Sequence, residues 1–197
     1  MIPPSLLHLY GNVFEGLSPE DITVLYDLAE TKTLSAGQVY IREGTFSQKL
    51  ALIASGLIRT FQKKENGDEI TLMVRWEQQF VASVDGLLHK RPSRFIYQAM
   101  EDTVLMEVDY LQAQSVIDHH PKLSAARNFL LMQILSQAVD RLESFVLLSP
   151  EERYLKLIKE NPGIANRIPD KHISTLLGIT PVSLSRIRKR IASRPHH

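Results

Sequence analysis

The spacing of apolar residues changes several times along this chain, and each change marks an element. Ser18-Pro19-Glu20-Asp21 reads as a helix start, with a hydroxyl cap, a proline at the first helical position and two acids facing the helix N-terminus. Leu25 and Leu28 continue its apolar face. From Thr31 to Asp109 the helical period is lost, and short β-rich runs recur at 39–41, 50–54, 57–61, 70–74, 95–99 and 104–108. Ala36-Gly37, Glu43-Gly44, Ser55-Gly56 and Asn66-Gly67 punctuate them, and Asn66-Gly67 between two such runs is a hairpin signal. Short strands joined by tight turns predict a β-sandwich or jelly-roll barrel.

The helical period returns at Tyr110, with a short helix to His119 and a long one from Pro121 to about Leu148. Leu123, Ala126, Leu130, Ile134, Ala138, Leu142 and Phe145 repeat at three- and four-residue steps, and Leu131, Leu135 and Val139 widen the stripe. A stripe that wide can serve both the helix's own domain and a partner helix. The spacing predicts a parallel two-fold dimer along this helix, with Leu123, Leu130, Ile134, Ala138 and Leu142 at the seam; packing within one chain is the alternative. Ser149-Pro150-Glu151-Glu152 is another capped start, for a helix ending near Asn161-Pro162-Gly163.

Two short helices close the chain. Ile173, Leu176 and Leu177 share the face of the first, and Gly178 permits the left-handed turn that ends it. Thr180-Pro181 then starts the second, whose buried stripe is Leu184, Ile187 and Ile191. At 100° per residue the opposite face carries Val182, Ser185, Arg186 and Lys189. This is the pattern of a helix-turn-helix that lays its second helix in the major groove of duplex DNA. Arg186 is the candidate base contact, since arginine can donate two parallel bonds to guanine O6 and N7. Lys189 and Arg190 are candidate phosphate contacts, and Thr180, Pro181, Val182, Ser183 and Ser185 complete the expected DNA-facing set. A surface helical hairpin with a solvated basic face is the alternative.

Charge sharpens that reading. The formal net charge is +1, yet from Lys171 onward there are six basic side chains and no acidic one. The first 170 residues then hold 17 basic against 22 acidic groups, a net of −5. A basic end on an acidic body suits a polyanionic partner. There is no cysteine, which excludes disulfides, thiolate zinc sites and cysteine-ligated iron–sulfur clusters. No apolar run approaches 18 residues and no signal-peptide pattern opens the chain, so a cytoplasmic protein with no membrane partner is expected.

Taken together, the capped helix, glycine-punctuated barrel, long helix and C-terminal helix-turn-helix resemble the CRP/FNR superfamily of transcription regulators. The best-matched stretches are Glu152-Arg153-Tyr154-Leu155-Lys156-Leu157 and Leu177-Gly178-Ile179-Thr180-Pro181 with Leu184-Ser185-Arg186-Ile187-Arg188-Lys189, typical of members from the Bacteroidetes group. The resemblance implies an α+β chain. Residues 1–120 would form an N-terminal β jelly-roll (double-stranded β-helix) barrel of cyclic-nucleotide-binding type with flanking helices. Residues 121–148 would be the long dimerisation helix, and 149–197 the helical helix-turn-helix domain. It implies double-stranded DNA, a second copy of the chain, an unidentified small-molecule effector and RNA polymerase as partners.

The resemblance also exposes departures. Cyclic-AMP-binding members carry Phe-x-Gly-Glu before Arg-Ser-Ala, the glutamate taking the ribose and the arginine the phosphate. Here Phe80-Val81-Ala82-Ser83 and Pro92-Ser93-Arg94-Phe95 stand there, with Ser83 in place of the glutamate and Ser93 in place of the arginine. Arg94 comes one residue late, and in a strand that sends it to the other face. Val81, Ala82, Ser83, Ser93 and Arg94 are therefore the expected effector pocket, with cyclic AMP not expected in it. Val182 stands where many relatives carry an acid able to accept from cytosine N4; valine could meet only a thymine methyl. The chain stops soon after the recognition helix, so no long β-wing is expected.

Other chemistry is sparse. Seven histidines include no His-x-His; His119 and His120 are adjacent and point apart on a helix, and His8 and His89 are isolated. Asp85-Gly86, Glu101-Asp102 and Asp68-Glu69 read as surface turn acids, and Arg75 and Trp76 as rim and core at a strand end. No nucleophile triad, P-loop or Gly-x-Gly-x-x-Gly occurs. No catalytic residue, metal or cofactor is expected, and the chain is not read as an enzyme. A regulator with a ligand-free structural barrel and a cupin-like metalloenzyme are the alternatives.

Overall fold

The computed structural model describes residues 17–193; His8, Arg194, His196 and His197 lie outside them. Helix α1 (Pro19–Asp27) begins on a full capping box, in which Ser18 accepts from the Asp21 amide and Asp21 accepts from the Ser18 amide. Eight strands follow: β1 (Glu30–Leu34), β2 (Val39–Ile41), β3 (Lys49–Ser55), β4 (Ile58–Lys63), β5 (Glu69–Arg75), β6 (Phe80–Ala82), β7 (Ile96–Ala99) and β8 (Thr103–Asp109). Helix α2 (Val84–His89) interrupts them. Then come α3 (Tyr110–Ile117), α4 (Pro121–Leu147), α5 (Pro150–Glu160), α6 (Ile164–Arg167), α7 (Asp170–Leu176) and α8 (Pro181–Ala192).

The strands form two four-stranded sheets, ordered β1-β8-β3-β6 and β2-β7-β4-β5. In the first, β8 pairs antiparallel with β1 (Lys32 opposite Leu105) and with β3 (Leu52 opposite Met106). Alternation then divides its residues. Ala51, Ile53, Val81 and Leu105 point inward and meet Ile41, Ile58, Tyr97 and Ala99 of the second sheet in one core. Leu52 and Met106 point outward and pack beneath Ile22 of α1. The barrel is thus filled by side chains on one face of this sheet and covered by helices on the other, an antiparallel jelly roll with the α+β composition expected.

Four elements lacked a sequence signal. Strand β1 is exposed at every residue but Leu34, so its polar edge shows no alternation. Strand β6, helix α2 and helix α6 span three, six and four residues, too short for a period to register. Ser93 and Arg94 precede β7 and lie in irregular backbone, so the expected one-residue face shift along a strand does not govern Arg94.

The chain divides into two compact units, residues 1–59 with 75–137 and residues 60–74 with 138–197. Within the second, the Thr71 amide donates to Thr175 Oγ1 at 3.2 Å, and the two hydroxyls lie 2.9 Å apart. No helix among the described residues is long and apolar enough to cross a membrane.

Candidate nucleic-acid interface and effector pocket

Helix α7 is held from inside by His172, Ile173, Ser174 and Leu176, all buried. Its end is a complete Schellman turn: Gly178 adopts φ 71°, its amide donates to Thr175 O, and the Ile179 amide donates to Ser174 O. The remaining terminal carbonyls, which no intrahelical donor can reach, are met by arginines. Arg141 donates to Leu176 O at 3.2 Å, and Arg153 donates to Leu177 O at 3.1 Å and to Leu148 O at 2.7 Å. Both guanidiniums flank the Phe145 ring, about 5 Å from its centre. Phe145, expected on the helix's apolar stripe, thereby sits against both guanidiniums while 41 % exposed.

Thr180 caps α8 by accepting from the Ser183 amide, and Pro181 takes the first helical position. Leu184 and Ile187 are buried, while Pro181, Val182, Ser185, Arg186 and Lys189 are exposed along one ridge. Two nearby arginines are held differently. Arg188 turns inward to Asp170 at 2.7 Å and to the Tyr154 hydroxyl at 3.1 Å. Arg190, expected on phosphate, pairs with Glu151 Oε2 at 2.8 Å, which leaves Arg186 and Lys189 as the ridge's outward cations. No signal in the sequence separates these fates, because the acids lie 18 and 39 residues away.

The expected effector residues are placed less favourably. Val81 is core. Ser83 is buried and caps α2, accepting from the Gly86 amide at 3.3 Å. Ser93 is buried as well; its hydroxyl donates to Phe95 O at 2.8 Å and accepts from the Phe95 amide at 3.2 Å. Both serines are occupied within the chain.

Asp85 corrects the sequence reading most. Expected as a surface turn acid, it is 2 % exposed and accepts from Arg91 Nε and Nη2 and from Arg94 Nε and the Arg94 amide, at 2.8–3.1 Å. The Arg94 side-chain bonds, with the Arg94 amide and Arg91 adding to them, hold its carboxyl well below the usual carboxylate range. Arg94 is therefore committed to a carboxylate of its own chain. Gly86 makes the approach possible, since a Cβ there would overlap the Ser47 carbonyl. The legible signal was a carboxylate between a serine cap and a glycine, with arginines six and nine residues on.

Helix α4 places the expected seam residues unequally. Leu123 is buried within its own chain, Leu130 is half-buried and lines two cavities of the first unit, and Ile134, though it lines one of them, is 36 % exposed. Among the exposed apolar residues, Met132, Leu135, Val139, Leu142 and Val146 fall on one line, spaced 3-4-3-4, while Phe129, Leu131, Ile134, Phe145 and Leu147 are exposed off it. Leu142 is 65 % and Val146 72 % exposed. Of the expected seam, Leu142 lies on this line and exposed Ala138 lies beside it.

Comparison with known proteins adds descent to this geometry. The family model of the cyclic nucleotide-binding domain matches residues 31–120, the barrel and α3. The cyclic AMP receptor protein of Thermus thermophilus is 27 % identical over 190 residues, covering 91 % of this chain and 85 % of that one. The chain is a homologue of the CRP/FNR family regulators. Among solved structures, the Thermus thermophilus catabolite activator protein superposes at TM-score 0.56 with 25 % identity over 94 % of this chain and 90 % of that one. FixK2 from Bradyrhizobium japonicum gives TM-score 0.71 at 14 % identity over 84 % and 85 % of the two chains, a likeness of fold. Like these CRP/FNR relatives, the chain joins a barrel to a helical C-terminal part.

Proposed function

We propose that this protein is a dimeric, sequence-specific, double-stranded-DNA-binding transcription regulator. The observation that carries the reading is the α8 ridge: Val182, Ser185, Arg186 and Lys189 exposed on a helix whose opposite face is buried and whose start is capped. In this reading Thr180, Ser183 and the first-turn amides meet phosphate, Arg186 reads a guanine, Val182 touches a thymine methyl, and Lys189 positions the helix on the backbone. Arg190 reaches phosphate only by leaving Glu151. Residues 149–197 act as the DNA-binding part, 121–148 as the connecting and pairing helix, and 1–120 as the sensor.

The exposed line on α4 supports the dimer. Val139 and Val146 fall at one heptad position and Leu135 and Leu142 at the other, and β-branched residues at a with leucine at d favour two parallel strands. Two recognition helices on that axis would read half-sites about one DNA turn apart. The sensor does not use cyclic AMP in this reading, because Ser83 and Ser93 bond within the chain and Asp85 holds Arg94. Selection from a random duplex library with the full-length protein tests the whole: it should recover an inverted repeat, and recovery of no consensus contradicts the reading.

A further inference from the structure

Two adjoining cavities run between the outer face of the first sheet and α4, sharing Phe80 and Leu130 as lining. The first, of about 90 Å³, is walled by aliphatic groups such as Leu25, Leu52, Met106, Leu123 and Ala126. The second, of about 140 Å³, is walled by Arg75, Gln78, Gln79, Gln133 and Gln137, with no acidic side chain. Arg75 donates to Gln137 Oε1 at 3.0 Å; a guanidinium carries five donors in all. Burial pushes that guanidinium below its ordinary value, as expected of a cation with no carboxylate beside it among the described residues. Gln78 holds the rim in a left-handed conformation, φ 66°, which non-glycine residues rarely adopt. An aliphatic compartment that meets, at Phe80 and Leu130, a second one walled by a cation and amides complements one kind of molecule: a hydrocarbon chain ending in a single negative charge.

We propose that this two-part cleft binds an aliphatic carboxylate, its chain against Leu52, Met106 and Ala126 and its head on Arg75 and the glutamine amides. The regulatory meaning rests on the sensor reading above, but the binding itself needs no DNA. An apolar cavity of about 150 Å³ holds a six-carbon benzene ring, so this compartment of about 90 Å³ suits a run of roughly four carbons. The occupant would lie against Leu130 and Gln137 of α4, the helix that carries the exposed heptad. It could therefore favour one arrangement of that helix over another, provided its affinity differs between them.

Calorimetry of the full-length, DNA-free protein with butyrate, hexanoate, octanoate, dodecanoate and hexanol tests this. Affinity should rise about fourfold per methylene up to the chain limit and then stop rising. Hexanol should bind about tenfold more weakly than hexanoate, for want of the charge-assisted bond. Arg75→Gln should bring hexanoate to the level of hexanol and leave hexanol unchanged. Gln133→Glu, at an exposed helix position that tolerates the change, should weaken hexanoate by repulsion, and Ala126→Leu should block the chain. No binding at any length, affinity indifferent to length and charge, or hexanoate affinity untouched by both Arg75→Gln and Gln133→Glu would overturn the proposal. Failure here while the protein still selects a DNA site sinks only the ligand; binding here without a selected site sinks only the DNA reading.

Discussion

Arg186 and Arg188 stand two residues apart on α8 and have opposite duties. Arg188 closes onto Asp170 and Tyr154 and ties α8 to α7 and α5; Arg186 is exposed. Arg188→Ala should lower unfolding stability by about 1–2 kcal/mol, a half-exposed ion pair plus a hydrogen bond. Arg186→Ala should stay within about 0.5 kcal/mol of the parent in the same denaturant titration. Asp85 is the other decisive residue. Asp85→Asn leaves Arg91 and Arg94 without their carboxylate and should cost about 2–3 kcal/mol at pH 7. Because Asp85's carboxyl is depressed in the folded chain, its contribution is complete above the unfolded value near 3.9 and fades as pH falls toward the folded one. Denaturant titrations from pH 7 to pH 3 should therefore show the parent and the variant converging below about pH 4.

At the scale of elements, what was legible in the sequence was local. Ser-Pro-Glu-Asp and Ser-Pro-Glu-Glu announce α1 and α5 because a capping box closes within four residues. Gly178 and Thr180-Pro181 fix the turn between α7 and α8 for the same reason. Gly178→Ala should cost about 1–2 kcal/mol in denaturant titration, since alanine resists a φ of 71°. The rotation of α4 was not legible. Its apolar residues cover more than half its circumference, and which of them meet the barrel is settled by sheet residues such as Phe80 and Met106. Asp85 escaped because an acid beside a glycine reads as a turn, and only the folded chain brings Arg91 and Arg94 onto it. If the 3-4-3-4 line is the pairing surface, Leu142→Lys should convert a dimer to a monomer in light scattering. Lys90→Ala, at an exposed helix cap of the barrel, should leave the mass unchanged.

At the scale of the molecule, charge and symmetry combine. An acidic body of net −5 carries a cationic end, and pairing along α4 would present two α8 ridges together. If each ridge neutralises about two phosphates, raising salt from 50 to 200 mM should weaken DNA binding on the order of a hundredfold. Ile41, Ile53, Ile58 and Leu105 fill the barrel, and Asp85 takes up Arg94 beside it. The most direct measurement is the affinity of the parent and of Arg186→Ala for the selected duplex and every single-base-pair variant of it, at fixed salt. The account predicts that Arg186→Ala loses about 1–3 kcal/mol of discrimination at one base pair of each half-site and keeps the rest of the profile. A profile parallel to the parent's at every position would contradict it.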